Sequence, residues 1–152
     1  MVLANEATKI LTEKYPGIKK HESWEGYYLF IYPDADPNQI YAVMTVFSRY
    51  VEDLLNAKLV DENEIKKIFL LVEFFIENGE DVVKGAACAD FLENLINATS
   101  WGTLKPEQFI HYLGPKSKKF CKKWDEFTGV PTPGLWKEGE FKGQRDPVGG
   151  WL

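Results

Sequence analysis

The stretch from Asp61 to Leu95 limits the possible folds of this chain more than any other part of its sequence. Asp61 is suited to cap the start of a helix, and Glu64 three residues later completes a capping box. Asn78-Gly79 is a stop signal, because glycine adopts the left-handed conformation at a helix end without a steric penalty. Apolar side chains between these signals cover nearly the whole circumference, which is typical of a buried helix. They are Ile65, Ile68, Phe69, Leu70, Leu71, Val72, Phe74, Phe75 and Ile76.

A second helix is expected directly after this stop signal, with Glu80 and Asp81 at its start. Acidic side chains complement the partial positive charge of a helix N-terminus. The residues from Gly85 to Ala89 are all small, so that another backbone can approach this part of the helix closely. The two helices are therefore predicted to form a central buried hairpin around which the rest of the chain packs.

The N-terminal third of the chain carries two further helical patterns. A short helix is expected from Ala4 to Tyr15, where a Pro-Gly pair ends it. A longer helix is expected to begin with Asp36 as the N-cap, Pro37 as the first helical residue and Gln39 as the third. Its apolar residues repeat with helical spacing through Ala57.

The C-terminal third has shorter helical patterns and an irregular end. Residues 98–104 read as a loop, and a short helix is expected to open at Pro106. Another helix is expected to begin at Pro115 and to stop at Gly129. From Val130 onward the chain is rich in Gly, Pro and Trp, so we expect a non-regular tail whose last nine residues are disordered.

Aromatic residues are frequent, at 14% of the chain, and five of them are tryptophans. The aromatic stretch from His21 to Tyr32 has no partner strand elsewhere in the sequence, so we expect an irregular or short helical segment there. Trp124 fits a core position. Trp101 and Trp136 are expected to cover the core as lids, whereas Trp151 is expected to be free.

These patterns predict an all-α fold. We expect an antiparallel helical bundle or array of about five to seven helices around the central hairpin, followed by the irregular tail. Residues 1–129 are predicted to form a single helical domain, and residues 130–152 a Gly-, Pro- and Trp-rich extension.

The composition and net charge indicate which cellular compartment and which class of partner to expect. The formal net charge of -5 argues against a general nucleic-acid-binding protein, which would carry a basic stripe. Two cysteines make a disulfide framework improbable and favour a reducing compartment. The N-terminus lacks the pattern of a signal peptide, and no apolar run approaches the length needed to cross a bilayer. We therefore expect a cytoplasmic protein with no nucleic-acid or membrane partner.

The chain offers few groups for metal binding or catalysis. Asp34, Asp36 and Asn38 match the first three ligand positions of a calcium loop, but Gln39 and Thr45 stand where that loop needs glycine and glutamate. Helix capping explains the same residues more simply.

The soft metal ligands His21, Cys88, His111 and Cys121 match no zinc spacing. Cys121 lies among lysines that could lower its pKa, and a nucleophilic pair of Cys121 with His111 is conceivable. Cys88 reads as a small core residue. A core or surface role for all four residues is the simpler interpretation, so we expect no metal, no cofactor and no enzymatic activity.

The distribution of charge is the most informative functional feature. The segment from Glu52 to Glu93 contains eleven acidic residues and four lysines, whereas the segment from Lys105 to Lys123 contains six lysines and one acidic residue. Glu73 and Glu77 are four residues apart and are expected to share a helix face. Each single charge is more simply a solvated or dipole-complementing group, but their clustering indicates an acidic ridge that meets a basic protein. The predicted partner-binding residues are Asp61, Glu62, Glu73, Glu77, Glu80 and Asp81.

Three short motifs carry a family resemblance: Asp81-Val82-Val83, Phe91-Leu92-Glu93-Asn94-Leu95 and Leu113-Gly114-Pro115. They resemble small all-helical bacterial proteins of the immunity type, which are encoded with polymorphic toxins. The resemblance covers roughly residues 40–125 and contains no catalytic residue. It implies a cytoplasmic protein that binds a cognate, basic toxin domain and neutralises it by occlusion.

Two rival functions remain open at this point. One is a helical adaptor or scaffold that binds a peptide or protein on a concave face without catalysis, as stacked helical repeats do. The other is an enzyme that uses Cys121 or His111.

Overall fold

The computed structural model describes residues 1–25 and 39–151. Within these ranges the fold is all-α, as predicted, and the only extended pairing is a single parallel bridge between Val2 and Gly79. None of the described helices combines the length and the apolar composition that crossing a bilayer requires. In chain order the α-helices are α1 (Ala4–Lys14), α2 (Glu22–Glu25), α3 (Ile40–Leu55), α4 (Glu62–Asn78), α5 (Asp81–Gly85), α6 (Glu93–Trp101) and α7 (Pro115–Thr128).

Helix α3 begins later than predicted. Gln39 precedes it in an extended conformation, with φ -71° and ψ 108°, and is therefore its N-cap and not its third residue. The predicted N-cap Asp36, the proline after it and most of the aromatic stretch lie outside the described residues. The helix ends at Leu55, two residues before the predicted end. Its buried face carries Phe47, which packs on the Tyr15 ring at 5.3 Å between centroids.

Helix α4 lies at the centre of the fold but is not buried on all sides, which corrects the sequence prediction. Asp61 caps it as expected, because its Oδ1 accepts a hydrogen bond from the Glu64 backbone N–H at 3.1 Å. Burial, with a further contribution from the nearby charge of Glu64, raises the pKa of Tyr15 to about 12. Most of the apolar residues of α4 point into the core, but Leu70 is 69% exposed and Phe74 is 44% exposed. One arc of the central helix therefore faces solvent.

Gly79 ends α4 for a different reason from the predicted one. Its backbone is extended, with φ -75° and ψ 154°, and not left-handed. A Cβ at this position would lie 2.5 Å from the Phe75 carbonyl oxygen and 2.6 Å from Val83 Cγ1. Glycine is required because a Cβ would overlap these two groups. The same turn pairs with Val2, whose backbone N–H donates to the Asn78 carbonyl at 2.7 Å.

The second helix of the hairpin is one continuous run from α5 through a π-helical segment, Ala86–Leu92, into α6. Phe91 in the π segment contacts Phe47 of α3 at 5.3 Å and Phe69 of α4 at 5.8 Å, so that it joins three elements of the core. The run continues to Trp101, where a loop was predicted. Gly102, with φ 84°, stops it. Trp101 is 71% exposed and is no lid.

Two 3-10 turns, Pro106–Gln108 and Ile110–Tyr112, lead into α7, which ends at the left-handed Gly129 as predicted. The described part of the tail, residues 130–151, has no helix, but it is ordered along α7. Asp125 is fully buried and accepts hydrogen bonds from the Thr132 backbone, the Thr132 hydroxyl and Trp136 Nε1 at 2.6–2.8 Å. Arg145 then pairs with Glu126. Trp136 is thus partly buried against the core, in agreement with a lid.

Candidate functional site

Glu73 does not belong to an exposed acidic ridge, which corrects its predicted role. Its side chain is buried at the start of α7. Oε2 accepts from the Lys116 backbone N–H at 2.8 Å, and Oε1 accepts from the Ser117 backbone N–H and hydroxyl at 2.8 and 2.9 Å. These donors are unpaired within α7 itself, because a helix leaves its first N–H groups without internal partners. Glu73 therefore caps α7 from another helix, and its buried carboxylate does not contribute to an exposed acidic surface.

Glu80 has a related capping role at the start of α1. Its Oε1 accepts from the Ala4 backbone N–H at 2.8 Å, and its own N–H donates to the Val2 carbonyl at 2.9 Å. The side chain is half-buried. Glu80 can contribute negative potential to the surface, but its hydrogen bond already fixes its position.

Glu77 and Asp81 remain as exposed acids near the turn of the hairpin. Glu77 continues the solvent-facing arc of α4, because Leu70, Phe74 and Glu77 are spaced by four and three residues and share one face. Asp81 lies directly beyond the turn, followed by Val82, which is 38% exposed. We refer to Leu70, Phe74, Glu77, Asp81 and Val82 as the turn-end surface.

A shallow hollow of about 290 Å³ opens at the turn. Its lining combines apolar and charged groups, namely Met1, Gly79, Glu80, Asp81, Val82 and Lys84. Lys66 and Lys67 are exposed one turn before Leu70. The exposed negative charge of α4 therefore lies at the two ends of the helix, and Lys66 and Lys67 separate the two groups.

Asp61 and Glu62 are exposed at the opposite end of α4. Fifteen residues separate Glu62 from Glu77, which corresponds to about 22 Å along a helix. Asp61 is in addition the N-cap of α4. The six predicted partner-binding acids thus divide into a buried cap, a half-buried cap, an exposed pair near the turn and an exposed pair at the far end.

The cysteines and histidines do not form a reactive site in the described structure. Cys121 is fully buried, and burial, together with the charge of Asp125, raises the pKa of its thiol well above the ordinary value, opposite to the effect expected from neighbouring lysines. Burial raises the pKa of Cys88 to about 12. Both thiols are free. His111 is exposed and stacks on Tyr112, and His21 Nε2 lies 2.8 Å from Asp53 Oδ2.

No group of three or more His, Cys, Asp or Glu side chains that could hold a metal ion occurs in residues 1–25 and 39–151. The calcium-like positions Asp34, Asp36 and Asn38 lie outside the described residues.

Asp90 has the most perturbed carboxyl group near the π segment. Burial raises the pKa of Asp90 to about 6, with a further increase from the charge of Glu93, whereas a hydrogen bond from Thr45 acts in the opposite direction. Asn94 donates to the Asp90 carbonyl at 2.7 Å and to Ser48 Oγ at 3.2 Å. These contacts form a polar cluster between α3 and the π segment, where the sequence analysis counted Asp90 only as one of many acids.

Sequence reasoning missed the exposure of Leu70 and Phe74 and the burial of Glu73. A signal for both was available. Glu73 is four residues after Phe69 and three before Ile76, both of which are core residues, so that it lies on the apolar face. Leu70 and Phe74 share the side of α4 that carries Glu77.

A comparison with models of protein families gives a match. The model of the family described as Domain of unknown function (DUF7674) matches residues 8–129. No curated protein and no solved structure matches the chain.

Proposed function

The chain belongs to the family described as Domain of unknown function (DUF7674), and we propose that it is an immunity-type protein that neutralises a cognate toxin domain by occlusion. The partner would bind at the turn-end surface. Occlusion needs shape and charge complementarity and no reacting group, which suits a chain whose two thiols are buried.

The exposure of Leu70 and Phe74 on the central helix is the observation that carries this proposal. Burying such a side chain contributes about 1.5–3 kcal/mol, so a soluble chain gains by covering both. Two apolar anchors within a charged border match the usual arrangement of an interface, in which a few central residues supply most of the binding energy.

Charge favours a basic partner. Glu77 follows Phe74 by one turn on the same face, and Asp81 lies just beyond the end of α4, where the neighbouring hollow has Glu80 at its edge. Leu70, two turns earlier, lines a hollow together with Lys67. Acidic groups at an interface raise the association rate with a basic protein and make that rate sensitive to salt. A nuclease-type toxin domain, which must hold a phosphate backbone, would carry the complementary charge. The proposal places this encounter in the cytoplasm.

The test begins with capture of partners from a lysate of the source by the tagged chain, followed by identification by mass spectrometry. The captured protein is then expressed in a host with and without the chain. We expect growth arrest by the captured protein alone and recovery when the chain is present. A captured protein that is harmless by itself would refute the immunity function and favour the adaptor alternative.

Surface variants locate the binding site. Combining Leu70→Ser with Phe74→Ser should weaken binding about 100-fold, since two anchors are lost. The matched control is Leu59→Ser, because Leu59 is 92% exposed outside this surface. Equal binding by the double variant and the control would exclude the turn-end surface.

Charge variants test the electrostatic part of the proposal. Reversal of Glu77 and Asp81 to lysine should slow association about tenfold at low salt. Reversal of Glu62 and Glu107 changes the net charge equally and should have a smaller effect. If both pairs slow association to the same extent, only the overall charge matters and the location is wrong.

A further inference from the structure

A second candidate site lies away from the turn-end surface, between α5, the π segment and α7. It is a cavity of about 270 Å³. One side consists of the rings of Phe120 and Trp124 from α7 and of Trp151 from the tail, and the cavity opens to solvent. The opposite side contains Gly85 and Ala89, whose small size leaves the space open. A Cβ added to Gly85 would meet no atom within 4 Å.

The aromatic rings are held in a fixed arrangement. The Trp151 centroid lies 6.0 Å from that of Phe120 and 6.1 Å from that of Trp124, and both ring pairs are inclined by 47°. Phe127 supports Trp151 from its edge at 5.3 Å. The Lys123 ammonium group donates to the Gly150 carbonyl and holds the tail next to α7. Two indole rings and a phenyl ring therefore border one cavity.

Glu93 supplies the only charged side chain of the cavity lining. No hydrogen bond to its carboxylate is found within residues 1–25 and 39–151, and partial burial raises its pKa. A carboxylate beside aromatic faces can stabilise a cation, because the face of an aromatic ring is also electron-rich. Such an environment attracts an organic cation.

The small number of hydrogen-bond acceptors in the cavity indicates which class of cation fits. A primary ammonium has three N–H donors, and a guanidinium has five. Glu93 alone cannot pair all of these donors, and a donor directed at the aromatic walls, away from both Glu93 and solvent, would be left unpaired at a cost. A quaternary ammonium has no N–H group and presents only methyl groups, so it requires no hydrogen-bond acceptor.

We infer that this cavity binds a trimethylammonium group, with Trp124, Trp151 and Phe120 as its aromatic walls and Glu93 as its counter-charge. The group could belong to a small molecule such as choline or to a methylated lysine side chain of a protein. This site does not depend on the proposed function, because it shares no residue with the turn-end surface.

The test compares choline with 3,3-dimethylbutan-1-ol, its neutral isostere, by titration of the full chain while Trp fluorescence is measured at constant ionic strength. We expect choline to bind about tenfold more tightly than the alcohol. Glu93→Gln should remove this preference, since it keeps the side-chain shape and eliminates the charge. Equal affinity for both probes would overturn the cation assignment.

Ring variants complete the test. Trp151→Leu should weaken choline binding about tenfold, whereas Trp101→Leu, which removes an exposed tryptophan elsewhere, should not change it. Ala89→Leu leaves the rings and the carboxylate in place and should block binding by filling the cavity. Saturable choline binding that survives both Ala89→Leu and Trp151→Leu would place the ligand elsewhere and overturn the inference.

A third ligand identifies the source of the cationic group. A peptide that contains trimethyllysine is titrated alongside the peptide with unmodified lysine. Tighter binding of the trimethyllysine peptide than of choline would assign the site to a protein partner, and the reverse order to a small molecule. If the unmodified peptide binds as well as the trimethylated one, the argument from unpaired donors is wrong.

Discussion

Gly114→Ala tests whether the Glu73 carboxylate holds the beginning of α7. A Cβ at Gly114 would lie 2.5 Å from Glu73 Cδ and 2.7 Å from Oε1. The carboxylate would have to move away from the Lys116 and Ser117 backbone N–H groups, each of which donates a hydrogen bond to it at 2.8 Å. The obstacle is a side chain, because Gly114 itself has ordinary backbone angles, with φ -75° and ψ 175°.

The expected loss follows from the bonds that break. Hydrogen bonds to a charged group contribute about 1.5–3 kcal/mol each, and partial relaxation of the capped turn recovers some of this amount. We expect Gly114→Ala to lower the free energy of unfolding by about 3 kcal/mol. At about 2–4 °C per kcal/mol for a chain of this size, Tm should fall by about 6–12 °C.

The decisive experiment is a double-mutant cycle measured by urea unfolding with far-UV circular dichroism. Glu73→Ala alone should cost about 3–5 kcal/mol, because the capping bonds are lost and the Ser117 N–H is left buried. In that background Gly114→Ala should cost less than about 0.5 kcal/mol, since the obstructing side chain is gone. Gly85→Ala combined with Glu73→Ala serves as the additive control. If Gly114→Ala lowers the free energy of unfolding equally in both backgrounds, it does not act through the Glu73 cap.

Three other predictions concern glycine, pH and the thiols. Gly85→Ala should raise the free energy of unfolding by about 0.5–1 kcal/mol, whereas Gly79→Ala should lower it by more than about 2 kcal/mol, because only the second meets backbone within 3 Å. Burial raises the pKa of Asp90 from its ordinary value of 3.8 to about 6 in the folded state. The folded state therefore binds this proton more tightly than the unfolded state, and stability should fall as pH rises from 4 to 6. Two pH units would correspond to about 3 kcal/mol for a fully buried group, and partial exposure reduces this to about 1 kcal/mol. Cys88 and Cys121 should react with a thiol reagent at pH 7 only as fast as the protein opens, since burial raises both pKa values.

A destabilising Gly85→Ala would show that the open space beside Gly85 is absent in solution. Asp90→Asn mimics the protonated carboxyl, so wild type minus variant isolates its contribution to the pH dependence. If the difference in unfolding free energy between wild type and Asp90→Asn is the same at pH 4 and at pH 6, the proton linkage is refuted. Rapid labelling of Cys121 under native conditions would contradict its burial.

The elements of the fold follow from local signals, whereas the site depends on distant contacts. Helical spacing and Asp61 were sufficient to predict α4, because a cap and its amide are three residues apart. The role of Glu73 depends on Ser117, which is 44 residues away, and no local pattern specifies that contact. The tail illustrates the same limit. Its glycines and prolines indicate an irregular chain, but not that Trp151 packs against Phe127 of α7.

The two capping carboxylates also determine when the domain can assemble during synthesis. The start of α1 is completed by Glu80, which is made 76 residues after Ala4. Glu73 in turn pairs its carboxylate only after Lys116 and Ser117 have left the ribosome. The cap of the first helix is therefore completed only with the hairpin. Glu73 has no capping partner until the start of α7 follows, and a charged group is costly to bury before its partners arrive. The hydrogen-bonding pattern thus favours one cooperative folding step late in translation over stepwise growth from the N-terminus.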